Sequence, residues 1–102
     1  MRTIAITFVA VCGLAFAGAP EGKTVFDAKC QPCHGPKGEG KASIAKMYGI
    51  EMHPLSSKEI QAKSDADFKK VITTGKGKMK PVAGLSDKQV EDVIAYVRTL
   101  KE

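Results

Sequence analysis

The residues best equipped for chemistry are consecutive: Cys30-Gln31-Pro32-Cys33-His34. Two thiols at this spacing lie about one helical turn apart, near enough to reach the two vinyl groups on one edge of a porphyrin. The histidine after the second thiol then falls under the iron, where its neutral imidazole binds from one face. The spacing points to one covalent haem c held by Cys30 and Cys33, with His34 as an axial ligand. Two other chemistries use the same residue types. A thioredoxin-like dithiol expects a strand before the motif and a βαβ pattern around it; the flanks Thr24–Lys29 and the Gly/Pro/Lys run after His34 show no alternation. A structural zinc site needs four ligands. Beyond residues 1–17 only Cys30, Cys33, His34 and His53 are on offer, and the adjacent Cys33 and His34 make a poor tetrahedral pair.

The chain must carry these residues on a small scaffold. Met1-Arg2-Thr3 gives a positive start, Ile4–Phe16 an apolar stretch and Ala15-Phe16-Ala17 a small-x-small cleavage site. Residues 1–17 therefore read as a secretory leader, with the mature chain starting at Gly18 and acting in the periplasm. A cut after Ala19 would put Pro20 just past the scissile bond. A retained anchor facing the periplasm is the alternative, although the apolar run is shorter than a membrane span usually needs. Lipidation of Cys12 is another, weakened by Val11, since a small residue usually precedes a lipidated cysteine. Removing residues 1–17 leaves 85 residues, a single domain over 18–102, and takes away Cys12. The thiols that remain are the pair in the haem motif, so no structural disulfide is available. The aromatics beyond the leader are Phe26, Tyr48, Phe68 and Tyr96, thin for an independent core. A chain of this size commonly needs a staple, and a buried porphyrin would supply apolar surface.

The full chain carries a formal charge of +5, which becomes +4 without Arg2. Two ionised propionates would bring it to about +2. Lys76, Lys78 and Lys80 lie in one presumed haem-edge segment and Lys29, Lys37 and Lys41 in the other. Nucleic-acid binding would want a denser basic stripe interleaved with aromatics. A docking rim for an acidic redox partner fits better, with an ordinary solvated basic face as the plain alternative.

Helices joined by long loops organise the chain, and no strand pattern stands out. A first helix is expected from about Pro20 to Cys33, with proline and acid near its start. Ser64 and Asp67 form a capping box ahead of Phe68, Val71 and Ile72, and Gly75 stops that helix. Ser86 and Gln89 open the last helix, where Val90, Val93, Ile94, Val97 and Leu100 trace one apolar stripe. Lys88, Glu91, Asp92 and Arg98 oppose that stripe and are expected to face solvent. Between these elements, Gly35–Gly40 is punctuated by glycine and proline, and a short helix or turn is expected around Ile44–Tyr48.

The chain resembles a small bacterial class I cytochrome c over nearly all of residues 18–102. Gly22 and Phe26 resemble the family's Gly-x-x-x-aromatic on its first helix, and Val93 and Tyr96 the matching pair on its last. His34-Gly35-Pro36-Lys37-Gly38-Glu39-Gly40 resembles the stretch after the haem histidine. The resemblance implies an all-α fold of three to four helices and long loops around one haem c, with the terminal helices crossing closely. It also implies that Pro54 and Leu55 lie on the histidine side of the haem, the Pro54 carbonyl accepting the ring N–H of His34. Met79, in a glycine-bearing loop before Pro81, resembles the family's methionine ligand, although Lys80 stands where the family often has proline. Met47, Met52 and His53 remain competitors for that sixth position. The implied function is a monomeric, soluble one-electron carrier between redox proteins of a respiratory-type chain, not an enzyme. A haem-based gas sensor or peroxidase-like protein with a labile sixth ligand is the alternative.

Overall fold

The computed structural model describes residues 18–101, so the expected leader at residues 1–17 lies outside the described residues. Helix α1 (Ala19–Val25) begins with Pro20 and Glu21 in its first turn, where a missing N–H costs nothing and a carboxylate meets the positive end of the helix dipole. It runs through a π-helical turn, Phe26–Cys30, into α2 (Gln31–His34), so the helix expected over Pro20–Cys33 is present and one residue longer at each end. The widened turn was not foreseen. Such turns recur at functional sites, and this one ends on Cys30.

Helix α3 (Ala42–Tyr48) fills the segment where a short helix was expected. Helix α4 (Lys58–Gln61) was not anticipated; Ser57 caps it, its hydroxyl accepting the Ile60 amide at 3.3 Å. Helices α5 (Asp65–Thr74) and α6 (Asp87–Thr99) both open with the capping boxes read from the sequence, Ser64 with Asp67 and Ser86 with Gln89. Among the described residues there is no strand, only an isolated bridge between Lys76 and Met79.

The α6 stripe forms the core. Val90, Val93, Ile94 and Val97 are buried there together with Phe26 and Ile72, while Leu100 is half-buried. Helices α1 and α6 cross at Gly22, where a Cβ would overlap the Asp92 carbonyl oxygen and sit 2.9 Å from the Val93 nitrogen. Only glycine lets the backbones come this close. One turn on, the Phe26 and Tyr96 rings meet at 5.2 Å between centroids, tilted by 55°. The glycine–aromatic pairing implied by the resemblance is thus present in the crossing.

Two residues expected on the solvated face of α6 lie elsewhere. Asp92 is only 8 % exposed, because the glycine contact draws the polar side of α6 against α1; its Oδ2 takes the Lys88 ammonium at 2.8 Å. Arg98 turns inward over the Phe68 ring, 4.6 Å from its centroid. Its guanidinium donates to Asp65 and to the Gln61 and Lys63 carbonyls, while Gln61 Nε2 donates to the Leu55 and Val97 carbonyls. These bonds lace the irregular segment before α5 to α6 and fix one wall of the site.

Candidate haem site

A cleft opens between α2, α5 and the loop that follows α5. It has two lobes of about 420 and 280 Å³, both lined by Cys30, His34, Ile50, Met52, Lys78 and Met79. Cys33, Ile44, Tyr48, Pro81 and Val82 complete the first lobe. Phe26, Leu55, Phe68, Val71, Ile72 and Val97 wall the second, so it is backed directly by the core. Phe68 and Val71 sit at the spacing that the sequence offers as a core stripe, but their side chains are half-buried and line the cleft.

The π-helical turn and α2 present the attachment motif. Cys30 is half-buried and Cys33 exposed, and both reach the first lobe. Burial, with a smaller push from Cys33, raises the Cys30 thiol to about 11. Dithiol redox pairs need a depressed thiol pKa, so this environment runs against that chemistry. Burial also pushes the His34 imidazole below its ordinary value, which keeps it in the neutral form that binds iron. Its Nδ1 is enclosed without a hydrogen-bond partner, leaving Nε2 as the nitrogen for a metal in the cleft. Beyond His34 the chain folds back, the Gly40 and Lys41 amides donating to the His34 and Cys33 carbonyls at 2.6 and 3.1 Å. The free carbonyls at the end of α2 are satisfied in this way.

Met79 is held by its own loop. Lys76 and Met79 exchange backbone hydrogen bonds of 2.9 Å in each direction, and the Val82 amide ties the outgoing chain to the Ile72 carbonyl at 2.8 Å. Gly75 makes the tight return possible. Its φ is +80°, and a Cβ there would lie 2.7 Å from the Met79 carbonyl oxygen and 2.9 Å from Pro81 Cδ.

The competitors separate. Met47 is 65 % exposed and lines neither lobe. His53 reaches only the second lobe, and its ring nitrogens lie 3.7 Å from Glu51 and Glu59. Met52, a competitor already named from the sequence, lines both lobes, as Met79 does; it lies in an irregular stretch without helical periodicity. Leu55 lines the second lobe and anchors to the Gly38 carbonyl at 2.8 Å. Pro54 lines neither, and its carbonyl accepts the Ser57 amide at 3.0 Å. His34 Nδ1 has no hydrogen-bond partner, so the bond expected from it to the Pro54 carbonyl is not made.

Charge around the cleft is one-sided. Lys29, Lys78 and Lys80 line the first lobe and Lys63, Lys76 and Lys78 the second, with Glu51 the sole acid in either lining. Lys37 and Lys41 line neither.

Paired thiols, a neutral buried imidazole and a thioether around one largely apolar slot suit a covalently bound haem. The comparisons agree with a haem c site. The family model for cytochrome c matches residues 19–101. A cytochrome c-554(547) of Halothiobacillus neapolitanus is 34% identical over 88 residues, covering 81% of this chain and 97% of that protein. A solved structure described as KustC0563 c-type cytochrome superposes with a TM-score of 0.69 at 25% identity, covering 79% of this chain and 98% of that one. The chain belongs to the cytochrome c family, with the small class I fold. It is a haem c electron carrier whose haem is bound through Cys30 and Cys33, and the zinc and dithiol readings fall away.

Proposed function

We propose that this protein is an exported, soluble one-electron shuttle whose haem iron is bound by His34 and Met79. The observation that carries the reading is the shared lining: His34 and Met79 face both lobes of one cleft, the histidine neutral by burial and the methionine in a loop closed by reciprocal bonds. Iron held in this way supplies one-electron redox chemistry without a position for substrate, so the protein transfers electrons rather than catalysing a reaction. The residues keep that coordination constant. Gly75 and Pro81 fix the methionine loop, the fold-back of Gly40 and Lys41 fixes α2, and the second lobe offers a largely apolar wall.

Lysines at the mouth favour a redox partner with an acidic docking face. Export to the periplasm rests on the leader pattern at residues 1–17, and it agrees with the family match beginning at residue 19. No helix among the described residues is long and apolar enough to cross a membrane.

Met52 gives a second reading of the sixth ligand, since it lines the same lobes. The visible spectra of the exported protein, oxidised and reduced, test the proposal. The reading expects a weak far-red sulfur-to-iron band when oxidised and no carbon monoxide binding when reduced at neutral pH. A reduced protein that takes up carbon monoxide would instead identify a sensor or peroxidase-like site.

A further inference from the structure

A third cavity, about 670 Å³, lies away from the haem cleft and has no part in ligation or docking. Gly18, Asp65, Lys69, Lys88, Asp92 and Arg98 are among its lining residues. Gly18 is the N-cap of α1: its carbonyl accepts the Gly22 amide at 2.8 Å, and no side chain caps that end of the helix. The nearest group is the Asp92 carboxylate. A Cβ at Gly18 would overlap Asp92 Oδ1 and lie 2.8 Å from its Cγ, so a side chain there would have to displace the carboxylate.

Asp92 is out of place as a solvent-facing helix residue. At 8 % exposure it bears a desolvation cost, and Lys88 engages only Oδ2, from a side chain that is itself 74% exposed. Oδ1 points to Gly18. The charges facing this spot come from three helices: Glu21 on α1, Asp65 and Lys69 on α5, and Lys88, Glu91, Asp92 and Arg98 on α6. Arg98 is committed to Asp65 and Lys88 to Asp92. Four carboxylates stand against three cations, and one further positive charge brings the set to balance.

We propose that Asp92 is the receptor for a new chain terminus: once the leader is removed before Gly18, the α-ammonium of Gly18 seats against Asp92 Oδ1 and joins the start of α1 to α6. The proposal rests on the leader reading above. The amine is bonded to the same Cα whose Cβ would strike Oδ1, and with no residue before it, it can turn toward that oxygen. An unpaired ammonium here would oppose the positive end of the α1 dipole, whereas a paired one relieves both that repulsion and the cost of burying Asp92. Maturation then adds a link at the helix crossing that backs the haem cleft.

Pairing raises the amine's folded-state pKa above its free value of about 7.7–8.0, so the added stability is full below that range and is lost as pH rises through the folded value. The test compares haem-loaded proteins beginning at Gly18 with ones carrying Ala-Ser before Gly18, each with Asp92 intact or as Asp92→Asn, by thermal melting from pH 6 to 10. The Gly18 start should melt higher by about 4–8 °C at pH 6, the shift expected of one good ion pair in a domain this size. That advantage should fade toward pH 10 and be absent in Asp92→Asn. An advantage that survives Asp92→Asn, or none at all, overturns the pairing. Intact mass of the naturally exported protein reads the leader separately. A natural start elsewhere than Gly18 overturns the maturation step, whereas the engineered termini still report whether Asp92 binds an ammonium.

Discussion

Lys76 and Met79 donate to each other's carbonyls at 2.9 Å, so the methionine sits at the end of a closed turn and not on a free loop. Gly75 precedes that turn, and the Ile72 carbonyl holds the chain that leaves it. Met79, the proposed sixth ligand, is thus positioned by backbone bonds that do not depend on the sulfur.

This geometry makes a specific prediction for the methionines. Met79→Ala should abolish the far-red band of the oxidised protein, lower the reduction potential and open the ferrous iron to carbon monoxide, because a thioether favours ferrous iron. Met47→Ala should leave the spectrum unchanged, since Met47 is exposed and outside the cleft. Met52→Ala should keep the band and cost packing of about 1–3 kcal/mol in a melting experiment. If the band disappears in Met52→Ala and survives in Met79→Ala, the two methionines exchange roles.

Gly75→Ala should weaken the same band with both methionines intact. A Cβ at that position meets the Met79 carbonyl and Pro81 at 3.0 Å or less, and the backbone lies in the left-handed region. Strain of this kind costs about 1–3 kcal/mol. Thermal melting and the band intensity, measured together, separate a displaced loop from a merely less stable protein.

Gly22 offers a contrasting case far from the iron. Gly22→Ala drives a methyl group into the Asp92 carbonyl, so α1 must shift along or away from α6. A loss of at least about 1–3 kcal/mol is expected by denaturant unfolding, with the far-red band retained wherever the protein still folds. Stability equal to that of the unaltered protein would mean that the helices do not approach as closely as described.

Docking should depend on ionic strength. Lys29, Lys78 and Lys80 line the mouth of the first lobe. Electron transfer to an anionic partner should slow as salt shortens the Debye length below roughly 10 Å, its value at 0.1 M. Lys78→Glu should slow it further at low salt, whereas Lys37→Glu, outside both lobes, should matter less. Equal rates in the two variants at low salt would argue against a docking rim at the cleft.

The sequence by itself determined most of what depends on short spacing. The haem motif, both capping boxes and the α6 stripe were legible because each is a relation between residues a few positions apart, fixed by the helical repeat, whereas the pairing of Gly22 and Phe26 with Val93 and Tyr96 came from the family resemblance. Helix α4 escaped notice because it is one turn long and carries no apolar period. The tertiary structure alone decided the relations across the chain. Asp92 and Arg98 sit on the polar side of the α6 period, yet the approach at Gly22 buries one and the contacts to Phe68 and Asp65 enclose the other. Met52 and Phe68 acquire their place in the cleft, and the Pro54 carbonyl its Ser57 partner, from turns whose direction no periodicity encodes. Local order is written in hydrogen bonds between near neighbours, whereas burial is set by which surfaces the folded chain brings together.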